Sequence, residues 1–515
     1  MKLGETRTEG TNFIGGTWRD PAEGDVIESR SPSDPRRAVW RGRQSTSDVA
    51  RAVAAARGVQ AEWAAWPMER RGAVLKRFAS IASARVDDVA SLIRDEVGKP
   101  MWDARAEAQL LASKVEVTLD AGATGPLRRV EGYDMALGPG KSGRCWFRPH
   151  GVMAVVGPFN FPVHLPNGHI VPALALGNTV VFKPSDKASA CGQALVEMLA
   201  EALDAEGAPP GVLNLVQGGA DVASALTTHP MIDGVLFTGS WAVGRRIMQA
   251  NLDRPGLMLA LEMGGNNPAV ILPDADVRQA VIECVRCAFI GAGQRCTCTR
   301  RLIVHRDIAD RVIPSLCKAA SALTVGDPAA DPPVFMGPVV SEAARRTILE
   351  AQAMLAAAGG EALLEMRALP GSGWFLSPGV MRVGRFVRGE VGPGADIEIF
   401  GPFLRVAVVG SLEEAIEQAN ATEFGLAASL FTKDDAAFET FASRVRAGCI
   451  NRNTGTAGAS GKLPFGGLGR SGNHRPAGAF SADYCAYPVG GMIESGPGAV
   501  VAPGMGVDSL TDFVI

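Results

Sequence analysis

The sequence predicts an α/β protein built from two doubly wound units with a small β-rich element appended. Three observations carry that expectation. Apolar, β-branched runs alternate with helical patterns across residues 151–251, the rhythm of parallel βαβ units whose sheet is covered on both faces. A second series of the same kind starts near Leu261 and runs to about residue 455. The chain has 515 residues, too many for one core and enough for two.

Taken in order, Phe13-Ile-Gly-Gly-Thr-Trp18 and the short β-rich pieces up to residue 40 have the pattern of a hairpin and an arm. Ser47 is an N-cap candidate ahead of Ala-rich stretches with 3.6-residue periodicity, through Trp63, 75–84 and 86–97, closed by Gly98-Lys-Pro100. Residues 122–150 are polar, then aromatic at Cys145-Trp-Phe-Arg-Pro-His150, which suits an extended hairpin used in oligomerisation. Strands are expected at Val152-Met-Ala-Val-Val156, Asn178-Thr-Val-Val-Phe-Lys183, Gly211-Val-Leu-Asn-Leu-Val216 and Gly234-Val-Leu-Phe237, with helices over 190–203, 222–226 and 243–251. In the second series Pro268-Ala-Val-Ile-Leu272 and Arg301-Leu-Ile-Val304 read as strands flanking a helix at 277–289 and a turn. Helices at 341–358 and 412–420 follow, with a Gly/Pro-rich stretch at 386–396 between them. From Gly490 the chain is Gly, Pro and Val, an arm against a neighbour or a loose end.

Composition narrows the partner. With 51 Lys+Arg against 54 Asp+Glu, a net charge of −3 and no basic run, nothing suggests nucleic acid, and an anionic ligand must be held by local groups. No stretch of about 18 apolar residues offers a membrane span, and Met1-Lys-Leu-Gly-Glu-Thr-Arg7 lacks an apolar leader, so a cytoplasmic location is expected. Nine cysteines scattered from Cys145 to Cys485 read as reduced thiols. Cys284-x-x-Cys287 with Cys296-x-Cys298 has the ligand count for zinc. Against that, Cys284 and Cys287 lie in an apolar helical run where such a pair packs, and no metal is expected.

Five segments carry candidate chemistry. Gly291-Ala-Gly-Gln-Arg-Cys-Thr-Cys298 sets a thiol, Cys296, beside an Arg in a Gly-rich turn whose backbone amides can stabilise a thiolate. Gly157-Pro-Phe-Asn-Phe-Pro162 follows a strand directly, where doubly wound folds bind ligands, and the Asn160 amide can donate to an oxyanion. Phe237-Thr-Gly-Ser-Trp-Ala-Val-Gly244 passes from strand to helix, a seat for a pyrophosphate, and Lys183-Pro-Ser-Asp186 ends another strand with an ammonium and a carboxylate. Leu261-Glu-Met-Gly-Gly265 encloses Glu262 among apolar residues, where burial raises a carboxyl pKa and suits a general base. Singly, each also reads as structure: a packed turn, an Asx turn, a solvated charge pair, a capping Glu.

In combination, Asn160, Lys183, Gly239, Glu262, Cys296, Glu398-Ile-Phe-Gly-Pro402 and Pro464-Phe-Gly-Gly-Leu-Gly-Arg-Ser-Gly472 resemble, in order and spacing, the aldehyde dehydrogenase superfamily over nearly the whole chain. The resemblance implies the aldehyde dehydrogenase fold, with residues 1–121 and 150–261 binding NAD, 262–460 carrying catalysis, 122–149 and 477–490 oligomerising, and 491–515 as a tail. It implies Cys296 as nucleophile, Asn160 as oxyanion donor and Glu262 as the base that activates water. It places Lys183 and Glu398 at the cofactor riboses, Gly239, Ser240 and Gly244 at the pyrophosphate, and Phe400 beside the nicotinamide. Asp186 stands where NAD-preferring members commonly carry Glu. The shorter carboxylate reaches the ribose less well but still repels a 2′-phosphate, so NAD is expected over NADP.

Pro162-Val-His-Leu-Pro-Asn-Gly-His-Ile-Val-Pro172, Leu261-Glu-Met-Gly-Gly-Asn-Asn-Pro268, Gly293-Gln-Arg-Cys-Thr-Cys298 and Ser471-Gly-Asn-His-Arg-Pro476 are similar to one branch of that superfamily, which oxidises N-succinylglutamate 5-semialdehyde in arginine catabolism. Such a tricarboxylate needs cationic or N–H-rich groups at the entrance, and His164, His169, His474 and Arg475 are the candidates. The small-residue loop Asn451-Arg-Asn-Thr-Gly-Thr-Ala-Gly-Ala-Ser-Gly461, with Gly458 and Ala459 ahead of Phe465, is similar to the carboxylate-anchoring loop of glutamate-semialdehyde dehydrogenases. Glutamate 5-semialdehyde or another carboxylated aldehyde is the alternative substrate. A catalytically dead binding protein or a zinc protein is the alternative of another class. The family's hairpin and C-terminal strand imply at least a homodimer.

Overall fold

Two seven-stranded sheets organise the computed structural model, which describes residues 11–496 together with 503 and 504. In the first sheet the strands lie in the order Met258–Glu262, Gly234–Thr238, Val152–Val156, Thr179–Lys183, Leu213–Leu215, Asn12–Ile14, Thr17–Arg19. The first five are parallel, and the last two form the N-terminal hairpin, paired antiparallel to the edge. Val152–Val156, Thr179–Lys183 and Gly234–Thr238 are buried along their whole length, which is why their sequences are unbroken apolar runs instead of alternating ones.

The second sheet has the order Glu361–Leu364, Gly379–Arg382, Phe403–Val409, Thr299–His305, Asn267–Ile271, Ala427–Phe431, Cys449–Arg452. All its pairs are parallel except the Glu361–Leu364 edge. Residues 122–150 include the expected hairpin, Tyr133–Gly138 with Lys141–Pro149, and Ala486–Glu494 joins it antiparallel as a third strand. That three-stranded sheet leaves Tyr133, Met135, Leu137, Met492 and Ile493 exposed. The expected C-terminal arm lies, beyond Ser495 and Gly496 and apart from 503 and 504, outside the described residues.

Ser47, expected as an N-cap, lies inside the helix Thr46–Ala65, which starts without a side-chain cap, but several later helices begin at theirs. Asp276 caps Val277–Phe289 through Gln279 N, and Ser341 and Ser411 cap Glu342–Ala357 and Leu412–Ala419. The helix Ser189–Ala205 is capped from a distance instead. Buried Glu96, on Val86–Val97, accepts from the Ala190 and Cys191 amides at 2.8 and 2.7 Å and from Ser29 Oγ. Burial pushes that carboxyl pKa up, yet three donors face it. Because the helix follows directly on Lys183-Pro-Ser-Asp186, its anchoring fixes that strand end. Glu96→Ala leaves three buried donors without an acceptor, and an equilibrium denaturant titration should show a loss of about 2–4 kcal/mol.

Candidate active site

Ten of the residues singled out above line one cavity of about 800 Å³: Asn160, Lys183, Asp186, Gly239, Ser240, Glu262, Cys296, Glu398, Phe400 and Phe465. A larger open hollow of about 950 Å³ lies elsewhere on the surface and contains none of them. The cavity sits at the carboxyl ends of the first sheet's strands, against the cysteine turn of the second.

The turn is held in a conformation few sequences tolerate. Gly291, Ala292 and Gly293 have φ of 60°, 54° and 71°, left-handed values that cost a residue with a Cβ about 1 kcal/mol. A Cβ at Gly293 would lie 2.0 Å from the Gly401 carbonyl oxygen, so the turn packs backbone to backbone on Glu398-Ile-Phe-Gly-Pro402. Asn267 Nδ2 donates to the carbonyls of Cys296 and Cys298 at 2.7 and 2.8 Å, pinning the backbone at and just after the thiol.

Arg295 does not serve the thiol as its sequence neighbourhood suggested. Its guanidinium pairs with buried Asp103 at 2.5 Å and lies 4.9 Å from the Phe161 ring. The Cys296 thiol is pushed up to about 12, by burial first and then by the Glu262 and Glu398 carboxylates, with Arg300 opposing them. In the cofactor-free protein Cys296 is therefore a neutral thiol.

Glu262 ends the edge strand Met258–Glu262, where Gly239 N donates to its carbonyl at 3.0 Å. Its carboxyl is buried, accepts from the Ala477 amide, and has one oxygen, Oε2, without a partner. Burial raises its pKa well above the ordinary 4.5, and a half-satisfied buried carboxyl is suited to take a proton from water. Asn160 is buried at the end of the loop after Val152–Val156. Next to it the Phe161 ring is bracketed by Lys99 Nζ at 3.5 Å and by Arg295. Lys99 in turn pairs with Glu107 at 2.6 Å, and Glu107 accepts from the Val163 and His164 amides that start the helix His164–Ala175.

Among the residues expected to hold a cofactor, buried Lys183 donates to the Pro184 carbonyl at 2.6 Å, and burial lowers its ammonium pKa to about 8. Asp186 pairs with Lys187 at 2.8 Å. Ser240 caps the helix Trp241–Ala250 through Val243 N. A Cβ at Gly239 would meet the Phe237 ring at 2.4 Å, and one at Gly244 would meet Met263 Sδ at 2.3 Å, so this turn must be glycine for the helix to approach the strand. Glu398 accepts from Gly265 N at 3.0 Å, and Phe159 meets Phe400 edge-on at 6.0 Å. An ammonium, a carboxylate, a capped helix start and an aromatic face, spread along one cavity, fit an elongated dinucleotide.

The expected substrate groups fare unevenly. His169 does not reach the cavity: it is buried between Tyr484 Oη at 2.8 Å and Thr238 Oγ1 at 3.2 Å. His164 is half-buried with Nδ1 unpartnered. Burial and, secondarily, nearby cations lower both imidazole pKa values to about 3, so neither offers a positive charge. His474 and Arg475 are exposed and absent from the cavity lining, and Gly458 and Ala459 are exposed. In Ser471-Gly-Asn-His-Arg-Pro476 the residue that engages the site's frame is Asn473, which accepts from Leu261 N and donates to the Leu259 carbonyl, bracing Glu262's strand. Cys284 and Cys287 pack inside Val277–Phe289, and among the described residues no group of three or more His, Cys, Asp or Glu is arranged to hold a metal ion. Asn267, Asn473 and Arg300 were not assigned from the sequence, although two adjacent arginines opening an apolar strand signal buried cations that need partners.

A family model for the aldehyde dehydrogenase family matches residues 18–488. The chain belongs to the aldehyde dehydrogenase family. An N-succinylglutamate 5-semialdehyde dehydrogenase of Paraburkholderia xenovorans is 45% identical over 500 residues, 96% of this chain and 99% of that protein. Among solved structures, a 1-pyrroline-5-carboxylate dehydrogenase from Thermus with bound NAD aligns with a TM-score of 0.86 at 29% identity, covering 95% of this chain and 94% of its own. An NADP-dependent glyceraldehyde-3-phosphate dehydrogenase from Bacillus halodurans complexed with NADP aligns with a TM-score of 0.85 at 28% identity, covering 95% and 100%. The family's enzymes use a nicotinamide cofactor, and this one is an aldehyde dehydrogenase of that kind.

Glu262 makes stability depend on pH in a definite direction. The folded chain holds its proton well above pH 4.5, whereas the unfolded chain releases it near that value. Between the two the folded state binds more protons, so stability falls as pH rises through the window. Glu262→Gln removes that loss. Thermal unfolding of the two proteins should give matching midpoints near pH 4.5 and a variant advantage on the order of 1–3 kcal/mol at pH 8.

Proposed function

We propose that this protein oxidises N-succinyl-L-glutamate 5-semialdehyde to N-succinyl-L-glutamate with NAD, in arginine catabolism. One observation carries the chemistry: a buried, half-satisfied carboxyl at position 262 shares a cavity with the half-buried thiol at 296 and the Asn160 amide. The Cys296 thiol gives its proton to the Glu262 carboxylate, which passes it to solvent. The thiolate attacks the aldehyde carbon, forming a C–S bond, while the C=O π bond becomes an oxyanion received by the Asn160 amide and the Cys296 N–H. The nicotinamide supplies the two-electron acceptor for the hydride. Collapse of the oxyanion leaves a thioester on Cys296. Glu262 then takes a proton from water, whose oxygen attacks the carbonyl and breaks the C–S bond. Lys183 and Glu398 would hold the riboses, Ser240, Gly239 and Gly244 would shape the pyrophosphate turn, and Phe400 would back the nicotinamide.

The substrate assignment rests on the likeness to the Paraburkholderia enzyme and on local charge. Lys99, Lys114 and Arg295 all act on His164. Glu107 and Asp103 neutralise two of them, while Lys114 donates to the neutral Gly478 carbonyl and Ser481 hydroxyl. Lys114 is thus a cation without a carboxylate partner, and although burial lowers its ammonium pKa to about 8, it favours an anionic aldehyde. The Asp186 carboxylate, at the far end, repels a 2′-phosphate and supports NAD. The half built from the first sheet binds cofactor, the half built from the second carries catalysis, and the exposed apolar three-stranded sheet pairs copies into at least a dimer. The reaction is placed in the cytoplasm.

Steady-state kcat/KM with NAD should favour the succinylated over the free semialdehyde by more than tenfold, and NAD over NADP; a preference for glutamate 5-semialdehyde selects the alternative. Cys296→Ala should abolish turnover while retaining cofactor binding by fluorescence titration. Glu262→Gln should give a burst of reduced cofactor followed by turnover slowed by roughly 10²-fold or more, since acylation survives by losing the thiol proton to solvent directly, while deacylation loses its base.

A further inference from the structure

A single guanidinium is buried where the three site segments touch. Arg300, second residue of the strand Thr299–His305, is 2% exposed. Its Nε donates to the Gly265 carbonyl at 3.0 Å, Nη1 to those of Gly293 and Ile399 at 3.2 and 2.6 Å, and Nη2 to that of Arg295 at 2.9 Å. Nη2 also lies 3.6 Å from Glu398, and the guanidinium carbon is 5.1 Å from the Phe400 ring centroid. One planar fork therefore ties together the segment leaving Glu262, the residues leading into Cys296, and the Glu398 to Phe400 segment. No lysine reproduces that, because three donors on one point cannot reach four diverging carbonyls.

Its charge is as well placed as its donors. The groups acting on the Cys296 sulfur are Glu262 from the edge strand, Glu398 from the facing loop, Cys298 from the turn itself and Arg300 from the strand behind it. Two carboxylates without an opposing cation would make thiolate formation harder still.

We propose that Arg300 is a positioning residue for this reaction, which holds the nucleophile turn and the Glu398 segment in register and offsets the carboxylates that face the thiol. The register part rests on the cofactor reading of Glu398; the charge part does not, and it is read in cofactor-free protein.

The test is the pH dependence of iodoacetamide alkylation, followed by mass spectrometry on the peptide that bears Cys296, in the full-length chain without cofactor. Arg300→Gln should slow alkylation at pH 8 at least tenfold and move its profile to higher pH. Arg300→Lys, which keeps the charge, should restore the rate to within threefold of wild type while raising KM for NAD several-fold more than it changes kcat. A residue that merely stabilises the fold would lower the melting temperature of both variants and leave the alkylation profile in place, and that result overturns the proposal. Should Arg300→Gln not fold, Glu398→Gln reads the same balance from the other side: it must accelerate alkylation at pH 8, and an unchanged or slower rate rejects the idea. If the enzyme reduced neither NAD nor NADP with any semialdehyde, the proposed function would fail while the alkylation result still stood.

Discussion

The structure depends on a crossing of four residues. Glu262 is the last residue of the first sheet's edge strand and Asn267 the first of an interior strand of the second, so Met263 to Asn266 must carry the chain from one sheet into the other. Close approach, not backbone angle, dictates the glycines there. A Cβ at Gly264 would lie 1.9 Å from Glu398 Oε2, and one at Gly265 would lie 2.6 Å from the Cys296 carbonyl. The crossing thus brings the Glu262 carboxyl, the Cys296 turn and the Glu398 carboxyl within reach of each other. Asn267 and Arg300 then fasten what it brings together.

Such convergence has an electrostatic cost that the fold manages by neutrality. Glu262 and Cys296 are both driven toward their uncharged forms by burial, and Glu398 is also raised by burial against the pull of Arg300. Burial thus works against stacking like charges in a low dielectric, and Arg300 opposes its effect at Glu398 and Cys296. Strongly perturbed groups gathered in one cleft mark a site where stability has been conceded to chemistry.

How much of this was legible depends on how far each interaction reaches along the chain. The strands Val152–Val156 and Gly234–Thr238 and the helix Val277–Phe289 follow from local pattern and caps, and the structure has them within a residue of the expected bounds. The segments bearing Cys296, Glu262, Asn160 and Glu398 were also recognisable, and the structure brings them to one cavity. Side-chain direction was not. Arg295 looked like the thiol's cation because it is adjacent in sequence, but its partner Asp103 lies 192 residues away. His169 looked like an entrance group within a polar motif, yet its partner Tyr484 lies 315 residues away and draws it into the core. Neighbours in sequence fix where a backbone goes; only the packed fold decides which buried acceptor a long side chain finds.

The same limit applies to the placing of Asn160 against Cys296. The Asn160 amide is carried by the first sheet and the Cys296 amide by the second, so no single turn sets their separation. What spans the gap is the Phe161 ring between Lys99 and Arg295, two cation–ring contacts of about 0.5–2 kcal/mol each. Lys99 reports through Glu107 to the helix His164–Ala175, and Arg295 through Asp103 to the helix Met101–Thr118. Both helices pack on the first sheet's core, so the turn of the second sheet is referenced to the first through one aromatic ring. Placing donors from two rigid bodies around one reacting atom requires a contact of that kind, because a misplacement of about 1 Å can cost two orders of magnitude in rate.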